Sequence, residues 1–255
     1  MNERLEAAMP WLFVAGVLII WEAACVGFAI PTFLLPRPPV IAQALVAQIE
    51  PIMSNSWDTL FRTVIGFVIA VVLGALIGVA IGSSRLIYRG LYPVLIGFNS
   101  IPKVAVVPVF VIWFGIGTIP AVLTAFMVSF FPIAVNVATG LATVEPELLD
   151  VLRSLGARKR QILLKVGLPR SLPYFFASLK VAITLAFVGT IISETVASAS
   201  GIGYLMMAAT ANFDTPLVFA GLIVVAVLGI VMYALFAAIE KHLTFWAQRG
   251  DGLMT

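Results

Sequence analysis

The chain has 255 residues, of which 62% are hydrophobic and only 11% are charged, and its mean hydropathy is +1.12. Soluble domains are about half apolar and about a quarter charged, so this composition excludes an ordinary soluble domain and indicates a protein embedded in lipid. The formal net charge of +3 is small and the basic residues lie mostly in short connections, which argues against a nucleic-acid-binding face.

Six apolar stretches have about the 20 residues that a helix needs to cross a bilayer. Backbone groups in hydrocarbon must be paired within their own segment, so these stretches are expected to be helices rather than strands. The sequence therefore predicts an all-α membrane protein with six transmembrane helices, forming a single domain over residues 1–255. In chain order, the predicted spans are 10–30, 63–81, 91–114, 119–141, 173–195 and 216–239.

Basic residues are divided unevenly between the two sides of the predicted spans. Only Arg37 and Arg62 fall on one side. The other side collects Arg4, Arg85, Arg89, Arg153, Arg158, Lys159, Arg160, Lys165, Arg170, Lys241 and Arg249. Because cytoplasmic connections carry the excess of Lys and Arg, both termini and the connection 142–172 are expected to be cytoplasmic.

The second predicted span carries a row of small residues. Ala70, Gly74, Gly78 and Gly82 follow one another at intervals of four, which places them on one face of a helix. Small side chains on one face let two helix backbones approach closely in a membrane. The row therefore predicts tight packing against another span and says nothing about chemistry.

The third predicted span is interrupted by Pro93, Pro102 and Pro108, with Asn99 and Ser100 near its middle. Prolines inside a span remove backbone hydrogen bonds and kink the helix, which is tolerated where neighbouring protein or water supplies partners. We therefore expect this span to be kinked and to lie inside the bundle rather than against lipid.

Lys103 falls near the middle of the same span, where a charge costs about 2.5–3.5 kcal/mol on insertion scales. One interpretation is that Lys103 lines the translocation pathway and favours an anionic solute. Another is that it pairs with carbonyls freed by Pro102 or Pro108, or lies nearer the membrane surface. The sequence leaves these alternatives open.

The connection after the fourth span contains two short amphipathic patterns, joined at Gly156, within residues 145–169. Glu147 and Asp150 complement the positive end of a helix dipole in the first pattern, and basic residues surround the second. Such a pair of helices either lies on the bilayer surface or docks into a groove on a cytoplasmic partner.

Three other charged residues lie within predicted spans. Glu194, near the outer end of the fifth span, is a candidate for the external mouth of the pathway. Lys180, about two turns inside the same span, is expected to extend toward the cytoplasm. Glu22 has no obvious partner in the first span.

The segment 197–214, after the fifth span, is rich in small residues. It is predicted to form a short external helix.

Residues 150–169, D-V-L-R-S-L-G-A-R-K-R-Q-I-L-L-K-V-G-L-P, resemble the cytoplasmic loop of bacterial ABC-importer permeases. The pattern of that family is E-A-A, three residues, G, nine residues and I-x-L-P. Gly156, Leu168 and Pro169 match it, and Val166 replaces the isoleucine. The opening departs from the pattern, because an aspartate, Asp150, stands in place of the glutamate and bulkier residues replace the two alanines.

The similarity extends over most of the chain. The segments 101–103, 113–115, 193–194 and 201–204 resemble the branch of the family that imports nitrate, sulfonates, taurine and vitamin precursors. This resemblance implies a type I ABC-importer permease fold in a bacterial inner membrane. It also implies a second permease copy, two cytoplasmic ATPase subunits, an extracytoplasmic solute-binding protein and an alternating-access mechanism. The solute stays open among sulfonate, nitrate, taurine, a pyrimidine precursor and riboflavin.

The resemblance implies coupling roles for Asp150, Gly156 and Pro169, whereas the pathway candidates Lys103 and Glu194 follow from their charge within predicted spans. The residues expected to couple the chain to the ATPase are Glu147, Asp150, Arg153, Gly156, Ala157, Arg158, Leu168 and Pro169. The residues expected to line the translocation pathway are Asn99, Lys103, Trp113 and Glu194.

The sequence contains no motif for covalent chemistry. The phosphate-binding pattern G-x-x-x-x-G-K-[ST] does not occur, so ATP and Mg are expected to be bound by the partner ATPase. The single Cys25 excludes an internal disulfide, and the lone His242 cannot build a metal centre by itself. We therefore expect a transport subunit that is not an enzyme and that holds no cofactor.

Two other function classes fit the sequence less well than a permease does. An ion-coupled secondary transporter is the alternative, but it would be expected to show paired intramembrane acids and an inverted repeat, and the sequence shows neither. A membrane anchor would not need prolines and polar residues deep in the third span.

Overall fold

The computed structural model describes residues 3–243, and every regular element within that range is helical. Arg249, one of the basic residues used to orient the chain, lies outside the described residues. The helices are α1 (Glu3–Gly27), α2 (Pro38–Ala47), α3 (Ile49–Gly82), α4 (Arg85–Asn99), α5 (Lys103–Phe114), α6 (Thr118–Ala142), α7 (Pro146–Ser154), α8 (Lys159–Ile162), α9 (Leu168–Ala197), α10 (Ile202–Ala211) and α11 (Thr215–Leu243). The expected all-α fold class is confirmed.

The predicted count of six spans is not confirmed by the described helices. Four are long and apolar enough to cross a membrane: Ile49–Gly82, Thr118–Ala142, Lys159–Ala197 and Thr215–Leu243. Helices α4 and α5 form a bent pair that would make a fifth span. The apolar part of α1 that the structure describes, Leu12–Gly27, is shorter than the roughly 20 residues that a span needs.

The core of the bundle is formed where α3, α6 and α9 pack against one another. Its largest buried side chains include Phe67 from α3, Ile133 from α6, and Ile183 and Phe187 from α9. In lipid, such contacts are driven by van der Waals packing between helices rather than by exclusion of water. The closeness of the contacts among α3, α6 and α9 therefore decides how stable the bundle is.

The predicted row of small residues lies at that contact, as expected. A Cβ placed on Gly74 would lie 3.0 Å from the Ile133 Cβ, and one on Gly78 would lie 2.7 Å from the Ala134 carbonyl oxygen. Gly66, one turn before Ala70, belongs to the same contact. The prediction of close helix packing is confirmed, with α6 as the partner.

The third predicted span is two helices rather than one kinked helix. α4 ends at Asn99, α5 begins at Lys103, and the two axes differ by 83°. Pro102 explains the break, because it has no N–H to donate and it disfavours helical backbone at the residue before it. Most α4 side chains are exposed in the single chain, so the expected position inside the bundle is not found in the monomer.

Two other charged residues have partners that the sequence does not reveal. Glu22 in α1 forms an ion pair with Arg37, just before α2. Lys180 in α9 pairs with Glu240 in α11, so the expected extension of its side chain toward water is replaced by an ion pair between two spans.

The predicted short helix within 197–214 is present as α10. It packs with α2, α3 and α11 around a second apolar cluster, which includes Ile41, Ile52, Ile202 and Leu217. This cluster lies at the end of the bundle where α3 begins and α9 ends.

Candidate functional site

The first half of the 145–169 element is an independent helix, α7. It begins with a proline in its first turn, has the acidic Glu147 near its start and the basic Arg153 in its last turn. Each of these residues stabilises the helix. A proline in the first turn lacks an N–H that would have no partner within the helix, and the acidic start and basic end interact favourably with the helix dipole. The Arg153 guanidinium also donates to the Asp150 carboxylate at 2.7 Å.

Gly156 ends α7 in the way the sequence predicts. Its φ is +81°, a left-handed conformation that glycine adopts without steric penalty. The Gly156 N–H donates to the Arg153 carbonyl at 2.9 Å, and the Ala157 N–H donates to the Leu152 carbonyl at 3.0 Å. These two bonds form a Schellman closure, which turns the chain sharply after the helix.

The second half of the element is not a separate short helix, as the sequence suggested, but the start of a long one. α8 continues through a π-helical turn, Leu163–Gly167, directly into α9. In that turn the Leu168 N–H donates to the Leu163 carbonyl, five residues back. The wider turn makes room for the ring of Pro169, which would otherwise clash with the carbonyl four residues before it.

An ion pair ties the two ends of the 145–169 element together. The Arg170 guanidinium lies 3.3 Å from the Glu145 carboxylate, with both side chains partly exposed. All the predicted coupling residues lie on this one element, and most are exposed. The exposed ones are Glu147, Asp150, Arg153, Gly156 and Arg158, and the half-buried ones are Ala157, Leu168 and Pro169.

Two of the predicted pathway residues meet at the break between α4 and α5. The Lys103 ammonium donates to the Asn99 side-chain oxygen at 2.6 Å and also to the Asn99 backbone carbonyl. Both residues line a cavity of about 420 Å³, whose walls are otherwise apolar and include Phe98, Phe126 and Phe130. The cavity thus combines one cation with an aromatic lining.

The other two predicted pathway residues lie elsewhere. Trp113, near the end of α5, is exposed and does not line this cavity. Glu194 is 1% exposed and lies between α3, α9 and α10 rather than on a surface of the monomer. Its carboxylate forms an ion pair with Arg62 at 2.8 Å.

The sequence places Arg62 in the connection before the second predicted span. In the structure α3 already begins at Ile49, so Arg62 lies well inside a helix and is 5% exposed. The sequence holds one sign of this helical position, the spacing of Thr59, Arg62 and Thr63. Residues three and four apart share one helix face, so these three polar side chains would lie together on a helix.

The Arg62–Glu194 pair is surrounded by hydrogen bonds. Glu194 accepts from the Thr59 hydroxyl at 2.8 Å and from the Gly203 N–H at 3.2 Å. Arg62 donates to the Ser200 carbonyl at 2.7 Å. The network therefore fastens the segment before α10 to α3 and α9.

Among the described residues, no three histidine, cysteine, aspartate or glutamate side chains could together hold a metal ion. The arrangement offers an exposed charged element at one end of the bundle, a cavity with a lysine, and a buried ion pair toward the other end.

Comparison with known proteins agrees with this arrangement. Residues 70–245 match the family described as binding-protein-dependent transport system inner membrane component. Formylaminopyrimidine transport permease protein ThiX of Halalkalibacterium halodurans is 30% identical over 250 residues, covering 98% of this chain and 100% of that protein. Taurine transport system permease protein TauC of Escherichia coli is 28% identical over 240 residues, covering 91% and 87%.

The fold is also found among solved structures. The MetNI methionine ABC transporter, solved in inward-facing conformations, contains a chain that superimposes with a TM-score of 0.67 at 20% sequence identity. The superposition covers 77% of this chain and 97% of the MetNI chain. This chain therefore has the type I ABC-importer permease fold, belongs to the family of binding-protein-dependent transport system inner membrane components, and is a permease component of an ABC importer.

Proposed function

We propose that the chain imports a small solute carrying an anionic group, by alternating access driven by a separate ATPase that binds ATP and Mg. In this proposal both termini and the 145–169 element are cytoplasmic. The observation that carries the proposal is the 145–169 element itself, because it presents exposed charges and is built into the helix that forms the core.

The element is suited to transmit motion because its parts are joined by a short hydrogen-bonded turn, residues 155–158, rather than by a long loop. α7 closes on Gly156, α8 runs through the π-helical turn into α9, and Arg170 holds the beginning of the element through Glu145. α9 then packs against α3 and α6 in the core. A partner that displaces α7 would therefore displace α9 and, with it, the walls of the bundle.

The position of Lys103 supports both a second permease copy and an anionic solute. Asn99 and Lys103 lie at the break between α4 and α5, and most α4 side chains are exposed in the single chain. A charged group facing lipid is costly. A second copy that covers this face would place the cavity between the two permeases. TauC, a relative, is a taurine permease, and the sulfonate group of taurine carries the charge that a lysine would attract.

Replacing Gly156 with valine should reduce ATPase docking while leaving membrane insertion intact. A valine at φ +81° is strained by about 1–2 kcal/mol, which lowers the equilibrium constant for forming the native turn by about 5- to 30-fold. The measurement is recovery of the ATPase with the tagged chain from native membranes in mild detergent. Gly90→Val is the matched control, because Gly90 lies in α4 with open space around it.

Two results would contradict the proposal. Equal ATPase recovery with Gly156→Val and Gly90→Val would show that the turn does not position a docking element. Recovery of the wild-type chain without an ATPase, together with solute uptake that needs none, would favour the ion-coupled secondary transporter.

Replacing Lys103 with methionine should lower uptake of a sulfonate by about tenfold, corresponding to about 1.4 kcal/mol of lost attraction for the anion. Uptake is measured in vesicles that contain the assembled importer, and Lys103→Arg should retain most of it. Lys241→Met, a basic residue in the exposed last turn of α11, is the control. Unchanged uptake and unchanged anion selectivity in Lys103→Met would remove Lys103 from the pathway.

A further inference from the structure

A second cavity, of about 310 Å³, lies between the end of α3, the second half of α7 and the beginning of α8. Its polar lining consists of the hydroxyl-bearing Ser83 and Ser84, between α3 and α4, and the basic side chains of Arg153 and Lys159. None of the described residues that line it is acidic. The cavity is therefore polar and positively charged, and it is separate from the cavity that contains Lys103.

The positive charge of this cavity is only partly neutralised by the chain. Arg153 uses one guanidinium nitrogen to bond Asp150 and has further N–H donors to offer. Among the side chains that the structure describes, none forms an ion pair with Lys159 or a hydrogen bond with the Ser84 hydroxyl. A ligand with several negatively charged oxygens would satisfy these groups.

The position of the cavity at the end of a membrane span indicates which kind of anion it would bind. Gly82, the last residue of α3, forms part of the wall, so the cavity lies at the end of a membrane span. Leu149 and Leu163 add apolar surface to the lining. Leu86, at the start of α4 two residues after Ser84, is an apolar side chain that is 83% exposed. A charged cavity next to exposed apolar side chains at the end of a span matches a molecule with a charged head and an apolar tail.

We propose that this cavity binds the phosphate group of an anionic phospholipid of the cytoplasmic leaflet. Basic pockets between membrane helices on the cytoplasmic side are suited to such headgroups. The proposal goes beyond the import function, although it uses the orientation proposed above. A bound headgroup would bridge the α3–α4 turn to α7 and α8, and so join two parts of the chain that no ion pair connects within the described residues.

The test is native mass spectrometry of the purified full-length chain, titrated with phosphatidylglycerol in detergent. Lys159→Gln should weaken binding of one phosphatidylglycerol molecule by about fivefold, the factor that corresponds to about 1 kcal/mol for one basic residue near an anionic surface. Lys159→Arg should restore binding. Arg160→Gln is the matched control, because Arg160 is an exposed neighbour of equal charge that does not line the cavity.

Two further titrations identify the source of the phosphate. Phosphatidylcholine, which has no net charge, should bind equally to the wild type and Lys159→Gln, and inorganic phosphate should not displace phosphatidylglycerol. Equal phosphatidylglycerol binding by the wild type and Lys159→Gln would overturn the proposal. Displacement by millimolar inorganic phosphate would overturn the lipid as the occupant. Neither result depends on an ATPase or on transport, so this test fails independently of the import function.

Discussion

Replacing Arg62 with methionine is expected to lower the free energy of unfolding by about 3–5 kcal/mol, because the change leaves the Glu194 carboxylate buried without its counter-charge. The Glu194 side chain is fully buried, and the Arg62 guanidinium lies 2.8 Å from its carboxylate. The remaining bonds to Glu194, from Thr59 and Gly203, come from neutral donors. They cannot replace a positive charge in an environment where water does not reach.

The double substitution Arg62→Met with Glu194→Gln separates the ion pair from the packing around it. Removing both charges leaves no uncompensated ion, so the double variant should be more stable than the sum of the two single losses predicts, by about 0.5–3 kcal/mol. Stability is measured by titration with a denaturing detergent in mixed micelles. Losses that simply add would show that the two side chains do not stabilise the bundle as a pair.

Arg89→Met provides the comparison for loss of a positive charge alone. Arg89 is exposed on α4 and has no ion-pair partner among the described residues, so its replacement should change stability by less than about 0.5 kcal/mol. A loss as large as that of Arg62→Met would contradict the role assigned to burial.

Local sequence patterns predicted the parts of the molecule that depend on neighbouring residues. Gly156 marked a sharp turn, because a glycine between two amphipathic patterns is a helix end. The row through Gly74 and Gly78 marked a helix contact. The fourth and sixth predicted spans, 119–141 and 216–239, correspond closely to Thr118–Ala142 and Thr215–Leu243. In each case the information lies within a few turns of chain.

Features that depend on distant contacts could not be predicted in this way. Arg62 and Glu194 are separated by 132 positions, so no local spacing indicates that they pair. Lys180 and Glu240 are likewise on different helices. A lone charge in a predicted span signals only that some partner must exist.

The break between α4 and α5 shows a different limit. The prolines predicted a kink, but a kink and an 83° break produce the same apolar composition. The angle between α4 and α5 at Pro102 depends on the contacts that these helices make with the rest of the bundle. Hydropathy reports the length of an apolar stretch and not the direction of its parts, so it does not decide whether 91–114 crosses the membrane as one span.

Replacing Gly78 with leucine is expected to destabilise the bundle by about 3 kcal/mol or more, at the upper end of the range for overpacked cores. A Cβ alone would lie 2.7 Å from both the Ala134 carbonyl oxygen and the Val137 Cβ, and neither atom belongs to the end of a flexible side chain. The α3 and α6 backbones must therefore separate, which weakens the contacts of the whole core. The same titration with a denaturing detergent measures the loss.

Gly90→Leu controls for the addition of a leucine to a helix without any effect on packing. Nothing lies within 4 Å of a Cβ at Gly90, and leucine favours a helix over glycine by less than about 1 kcal/mol, so stability should stay the same or rise slightly. A Gly78→Leu variant as stable as Gly90→Leu would mean that α3 and α6 can separate freely. In that case the close approach at the glycine row would not be what holds the core of this permease together, and a movement of α9 would have to reach α3 by its own direct contacts.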